Sequence, residues 1–261
     1  EQRHGNRDFN DVILLPGESV WAFDAFRRER WVDVLGVQTT SVVNENALPW
    51  LLHGPLALER QKVPAHPLVT IAPPPEVSAQ PGKHQISGEL PLRLLWWSVL
   101  LNTPAGVSYQ AQDIAEWTTN PDAKKATQPW REALALPGAN ALAPLASAFA
   151  GKEFWRLEPF SQVRNASAAP THETVAASTE AQEFMMIYTP EERTVNLPLS
   201  QASTSVKANW HNVRTGETLL ANAAKPTAAI QRFTTPATGD WVLTLQKVSG
   251  RTVVAEAKKP A

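Results

Sequence analysis

The hydrophobic positions of the chain follow two rhythms that change over near residue 170. In the first part, short continuous apolar runs alternate with longer mixed stretches. Val12–Leu15 is an unbroken apolar run between Asp11 and Pro16, the pattern of a strand buried on both faces. Ala22–Trp31 predicts a helix, Val32–Gln38 a second strand, and Leu48–Gln61 a helical stretch broken at Pro49 and Pro55. Leu68–Ala72 is a third strand, stopped by Pro73, Pro74 and Pro75. Glu89–Leu101 predicts a strongly apolar helix, Gly106–Tyr109 a short strand, and Asn140–Ala150 a helix that ends at Gly151. Strands and helices in alternation argue for parallel βα units.

Ala166–Glu180, rich in Ala, Ser and Thr, reads as a linker or surface loop. Short strands then come at close spacing: Glu183–Tyr188, Thr194–Leu197, Ser205–Asn212, Glu217–Leu220, Ala229–Phe233, Asp240–Gln246 and Arg251–Ala255. Several alternate. Val206, Ala208 and Trp210 share one face against Lys207, Asn209 and His211, and Trp241, Leu243 and Leu245 do the same against Val242, Thr244 and Gln246. Gly216 and Gly239 supply turn positions. The fold class is therefore α/β followed by an all-β sandwich of about eighty to ninety residues.

Composition removes several function classes. With 261 residues, 43% hydrophobic and 19% charged, the chain has the balance of a globular protein with a real core. A net charge of −1 gives no electrostatic case for nucleic acid or an anionic membrane surface as partner. No apolar run reaches the length of a membrane span, and no signal peptide heads the sequence. The absence of cysteine excludes disulfides, thiolate zinc sites and Cys nucleophiles. The six histidines fall in no metal-ligand spacing and no glycine-rich phosphate loop is present, so neither a metal nor another cofactor is expected. Trp is over-used, ten against two Tyr, and such large faces serve packing or stacking on a ligand.

Candidate chemistry comes from the residues just after each strand, since parallel α/β sites lie beyond the carboxyl ends of the strands. That end would collect Glu18, Gln38, Glu76, Tyr109, Gln112, Asp113 and Trp117. Two carboxylates among amides and aromatic rings suit glycoside hydrolysis: one protonates the leaving oxygen, the other attacks or activates water. Glu18 and Glu76 are the candidate catalytic pair, and Gln38, Tyr109, Gln112 and Trp117 the candidate sugar contacts. Each has a plain structural alternative. Glu76 beside three prolines can be a surface-loop carboxylate, and the amides and Tyr109 can satisfy strand-end backbone groups. Trp96, Trp97, Trp210 and Trp241 are expected in the core.

The stretches "RHGNRDFNDVILLPGES", "WVDVLGVQTT", "HGPLALERQKVPAHPLVTIAPPPEV", "LRLLWWSVLLNTPAGVSYQAQDIAEW" and "PWREALALPGANALAPLASAFAGKEFWRLEP" resemble, in order, segments of the apiosidase-like (β/α)8 glycoside hydrolases. "VKANWHNVRTGET" and "FTTPATGDWVLTLQ" resemble the collagen-binding-like sandwich that follows that catalytic domain. The resemblance implies a partial (β/α)8 barrel, strands four to eight, over 1–160, a linker over 161–180, and an antiparallel β-sandwich over 181–261. It implies a glycosidase acting on plant or microbial polysaccharide in an extracellular or periplasmic setting. It also makes "GKEFWRLEPF" the junction, with Phe154, Trp155 and Leu157 expected to pack beneath it.

Departures from the family pattern bear on activity. Strands one to three have no counterpart in this sequence, so the expectation is a fragment, a missing barrel half on another chain as partner, or an altered fold. The family's Gly-Gly-Asp reads Pro16-Gly17-Glu18, and its His-Thr-Tyr-Gly reads Val107-Ser108-Tyr109-Gln110. Its nucleophile position falls on Ala72, with Glu76 at the second Glu of the same motif. Three readings stay open: a two-carboxylate glycosidase, a degenerate relative that binds glycan or serves as a scaffold, and an adhesion module whose working part is the sandwich.

Overall fold

The computed structural model describes residues 26, 28–38, 47–71, 73, 75–76, 89–117, 119, 128–163, 172–191, 193–198, 206–221 and 230–247. The expected strands Val12–Leu15 and Arg251–Ala255, most of the expected helix Ala22–Trp31, and the residues Glu18 and Ala72 lie outside them. Where the end of that helix is described, the chain from Arg28 to Trp31 runs mainly in turns.

In the first part, β1 (Leu35–Gln38) and β2 (Leu68–Ile71) pair in parallel, from Leu35 opposite Leu68 to Gln38 opposite Ile71. A third parallel segment adds to β2 at Gly106, where Thr70 N–H donates to Gly106 O at 3.0 Å and Ala105 N–H to Leu68 O at 2.7 Å. Gln38 and the residues after Ile71 and Gly106 therefore leave the sheet at one end. Between β1 and β2 lie α1 (Ala47–His53) and α2 (Pro55–Arg60). The helical stretch breaks at Gly54, not at Pro49, because proline is accepted in the first turn of a helix. A Cβ at Gly54 would stand 2.3 Å from the Trp50 carbonyl oxygen, so the sharp turn needs glycine. Pro55 then opens α2, a position where its missing N–H costs nothing.

Helix α3 (Glu89–Asn102) is apolar on every side, and the structure gives the reason: it is surrounded. It packs on α1 and α2 and on one face of the sandwich sheet. Trp96 stacks between Phe149 and Tyr188, and the Trp97 indole N–H donates to the Glu173 carbonyl at 3.0 Å. Both rings are core residues, as expected, and burying about 150–250 Å² each they contribute several kcal/mol apiece, about 25 cal/mol per Å².

The second part holds a six-stranded sheet in the order β3-β4-β5-β10-β7-β8 and a two-stranded sheet, β6-β9, every pairing antiparallel. The strands are β3 (Glu158–Pro159), β4 (Val175–Ser178), β5 (Phe184–Thr189), β6 (Thr194–Pro198), β7 (Val206–Asn212), β8 (Thr218–Leu220), β9 (Ile230–Thr234) and β10 (Trp241–Lys247). One face of the large sheet, with Met185, Ile187, Ala208, Trp210 and Leu243, packs on Val195, Leu197 and Phe233 of the small one. The other face, with Val175, Ala177, Met186, Tyr188 and Val242, packs on α3. A sheet covered twice explains why β5 reads as continuous apolar sequence and is buried throughout. It also explains β4, which lies within the stretch that reads as a linker. Its small residues show no alternation because neither face meets water.

A buried polar node ties helix to sandwich. Arg93 on α3 donates Nε and Nη2 to the Asp240 carboxylate, 3.1 Å each, and the Tyr188 hydroxyl donates to the same carboxylate at 2.6 Å. At the junction the expectation holds for Leu157, which is 2% exposed, but Trp155 is 69% exposed and Phe154 lies near the surface. The two rings meet edge to face on the short 3₁₀ turn Phe154–Arg156, and Phe154 also meets Phe149. Burial beneath the junction is supplied by α3 instead.

Four shorter helices complete the described residues: α4 (Gln112–Ala115), α5 (Trp130–Ala133), α6 (Pro137–Asn140) and α7 (Leu142–Phe149). The predicted helix Asn140–Ala150 is α7, and Gly151 follows it with a φ of 68°, the left-handed conformation glycine takes at helix ends.

Candidate active site

The site forms where the parallel segments leave the sheet. After β2 the chain returns to pairing at Glu76, which bridges Ala111 in parallel: Glu76 N–H donates to Gln110 O and Gln112 N–H to Glu76 O, 2.9 Å each. The backbone thus brings Glu76, Tyr109 and Gln112 into adjacent positions. The Glu76 side chain is 1% exposed. Its Oε2 accepts a hydrogen bond from the Tyr109 hydroxyl and another, 3.0 Å long, from the Gly138 N–H at the start of α6. Three separate segments therefore meet at one carboxylate.

Gly138 is required there. A Cβ at that position would stand 2.4 Å from Glu76 Oε2 and 2.8 Å from Tyr109 Cε2. The Tyr109 phenol is pushed well above its ordinary pKa by burial, then by its hydrogen bond to Glu76 and that carboxylate's charge, with a backbone hydrogen bond from Ala139 acting the other way. It is a neutral donor at any physiological pH.

Gln112 opens α4, and its amide donates to Glu116 Oε1 at 3.0 Å. Asp113, one residue on, is fully buried. Trp117 comes just after the helix with a φ of 49° and is 67% exposed. Its ring stacks on Trp130 of α5 with centroids 4.3 Å apart and planes 9° from parallel, and the Arg131 guanidinium carbon lies 4.6 Å from the Trp130 centroid.

Of the six residues that the sequence singles out, Glu76, Tyr109, Gln112 and Trp117 fall in one neighbourhood. Gln38 ends β1 at the same end of the sheet, beside Ile71. Glu18 lies outside the described residues, as does Ala72. The strand-end rule misses Gly138 and Trp130. The signal for Gly138 is a glycine just after the proline that opens a helix, in "LPGAN"; for Trp130 it is a tryptophan beside an arginine in a polar stretch. Among the described residues no cluster of three or more His, Asp or Glu side chains could hold a metal ion, and no helix is long and apolar enough to cross a membrane.

The family model described as "Apiosidase-like, catalytic domain" matches residues 12–156, more than half of the chain. The chain belongs to the apiosidase-like family. A second model, "Putative collagen-binding domain of a collagenase", matches residues 161–246. Two solved structures share the apiosidase-like chain's architecture. One is described as "Glycoside hydrolase", with a TM-score of 0.68 and 17% identity over 85% of this chain and 54% of the other. The second is a glycoside hydrolase family 5 protein from Bacteroides vulgatus ATCC 8482, with a TM-score of 0.69 and 18% identity over 85% and 52%. At such identity the likeness is one of fold, and this chain spans about half the length of those structures. Comparison with curated proteins gives no match.

Proposed function

We propose that this apiosidase-like chain binds carbohydrate at the carboxyl ends of its parallel strands, and that Glu76 positions Tyr109 there instead of attacking the sugar. The observation that carries the reading is the state of Glu76. A nucleophile must present an oxygen to the anomeric carbon, whereas this side chain is 1% exposed and one of its oxygens serves two donors. Ala72, at the motif position where the resemblance puts the attacking group, has no oxygen to offer. Beside Glu76 lie groups suited to recognition: the half-buried Gln112 and Tyr109 and, five residues after Gln112, the exposed Trp117 ring.

In this reading the three parallel segments are consecutive strands of a (β/α)8 barrel, the region before the junction is the carbohydrate-binding part, and the sandwich from β3 onward supports it. The ligand is a plant or microbial polysaccharide met outside the cytoplasm. A second reading is hydrolysis by Glu18 and Glu76. The Tyr109 hydroxyl favours it, since its hydrogen bond holds the Glu76 carboxylate in one fixed orientation.

The test is one panel of plant and microbial polysaccharides, scored for binding and for release of reducing ends, with Glu76→Gln and Gln112→Ala. A glutamine oxygen still accepts from Tyr109 and Gly138, so Glu76→Gln preserves the geometry and removes only the charge. Binding that survives Glu76→Gln and weakens with Gln112→Ala supports the proposal. Turnover by the native chain that Glu76→Gln abolishes replaces it with the second reading.

A further inference from the structure

Trp117, Trp130 and Arg131 form a layered stack that fold stability alone does not account for. Trp130 has two faces. Trp117 lies parallel on one at 4.3 Å, so the Arg131 guanidinium, 4.6 Å from the same centroid, lies on the other. Trp130 is thereby fixed from both sides. Trp117 is fixed from one side only, and the ring remains 67% exposed. A pair that merely packed two short helices together would bury both rings; this one holds a large flat apolar face toward water. The backbone is committed to the same end. Trp117 sits at a φ of 49°, a conformation bulky residues rarely adopt, and its N–H closes the last turn on the Ile114 carbonyl at 3.0 Å.

The stack is also anchored to the site. Trp117 lies five residues after Gln112, whose N–H is bonded to the Glu76 carbonyl, and Trp130 lies eight residues before Gly138, whose N–H is bonded to the Glu76 carboxylate. The segments that carry the two rings thus adjoin residues bonded to Glu76, one at its backbone carbonyl and the other at its carboxylate.

We infer that Trp117, backed by Trp130 and Arg131, is a rigid stacking platform for a pyranose ring, so the site takes unbranched pyranoside chains in preference to furanosides. The inference deepens the proposed function and rests on it. The chemistry is shape. A six-membered sugar in its chair presents a flat row of C–H bonds matched to an indole face, whereas a puckered five-membered ring does not. A ring already held in place loses little freedom on binding, which favours affinity.

The experiment is calorimetric titration of the native chain and of Trp117→Ala, Trp117→Phe, Trp130→Ala and Gln112→Ala with xylohexaose, cellohexaose and a linear arabinofuranosyl hexasaccharide. Melting curves accompany each variant. Expected is tighter binding of the two pyranosyl chains, a loss of about tenfold for Trp117→Ala, equivalent to about 1.4 kcal/mol, and a loss under about threefold for Trp117→Phe. Trp130→Ala weakens binding by about threefold through loss of the backing. The melting temperature of Trp117→Ala falls by no more than about 6 °C, because the ring is largely exposed and only its stacking on Trp130 is lost. Undiminished affinity in Trp117→Ala while Gln112→Ala weakens binding overturns the platform and leaves the carbohydrate reading standing. Equal or better binding of the arabinofuranosyl chain overturns the preference. Absence of binding to all three by the native chain overturns the platform as drawn, and silence across the wider polysaccharide panel removes the carbohydrate reading as well.

Discussion

Asp240→Ala removes the carboxylate on which α3 and the sandwich sheet meet. In the native chain Arg93 is held by two bonds of 3.1 Å and the Tyr188 hydroxyl by one of 2.6 Å, all to Asp240. The variant takes the bidentate carboxylate from Arg93 and the acceptor from the Tyr188 hydroxyl, within a largely apolar seam. Removing one partner of a buried pair costs about 3–5 kcal/mol, and an orphaned buried hydroxyl about 1–3 kcal/mol. The two overlap, and the Arg93 side chain keeps 10% exposure that admits water, so about 3–5 kcal/mol is the expected total. At about 2–4 °C per kcal/mol for a chain of this size, the melting temperature falls by about 6–20 °C. Calorimetry or circular dichroism reads it directly. The double variant Arg93→Met with Asp240→Leu removes both charges and is expected to recover the part of the loss due to the pair, since apolar replacement of a buried pair is near neutral, leaving about 1–3 kcal/mol for the orphaned Tyr188 hydroxyl. A fall of under about 2 °C in Asp240→Ala, or a double variant as unstable as the sum of its parts, would refute the claim that this node joins the two regions.

Three further outcomes are expected. Gly138→Ala drives a methyl into Glu76 Oε2 and Tyr109 Cε2, 2.4 and 2.8 Å away, and should cost about 1–3 kcal/mol in urea unfolding while weakening glycan binding, with no change expected for a substitution at nearby exposed Asn140. Tyr188 is held neutral by burial and by Asp240, and Tyr109 by burial and Glu76, whereas unfolded tyrosines ionise near pH 10. Folded pKa values raised above the unfolded ones leave stability intact below about pH 10 and erode it above. Tyr188 alone contributes a slope of up to about 1.4 kcal/mol per pH unit, and Tyr188→Phe flattens the curve. His211, between the Thr218 and Thr244 hydroxyls, has its pKa lowered by burial and by the charge of Lys152. It stays neutral where the unfolded chain takes up a proton, so stability falls as pH drops below about 6.5, and His211→Asn reduces that fall.

Much of the architecture is legible in the sequence where one periodicity rules an element. The alternation in Val206–Asn212 and Trp241–Gln246 names the correct inward faces because one side packs on the small sheet and turn glycines bound the strands. The apolar run in α3 announces a buried helix. It does not announce what surrounds that helix, so the sequence points to Phe154 and Trp155 at the junction, whereas the covering element lies far upstream in the chain. β4 is hidden because Val-Ala-Ala-Ser buried on both faces looks like a small-residue linker. At the site, the strand-end rule picks Glu76, Tyr109, Gln112 and Trp117, and the parallel bridge of Glu76 with Ala111 sets the first three side by side, with Trp117 five residues after Gln112. The rule does not give their roles, since whether a carboxylate is presented or clamped depends on Gly138 and Trp130, on helices too short to show a period.

A Glu76 that organises a carbohydrate-binding site, and does not attack the sugar, should be dispensable as a charge. The decisive experiment incubates the native chain and Glu76→Gln with polysaccharides that the native chain binds, recording affinity and reducing-end release together. Equal affinity within about threefold for the two proteins is expected, with no carboxylate-dependent release of reducing ends. Release by the native chain that disappears in Glu76→Gln, with binding intact, would make Glu76 a catalytic group and end the binding-only role given to it here.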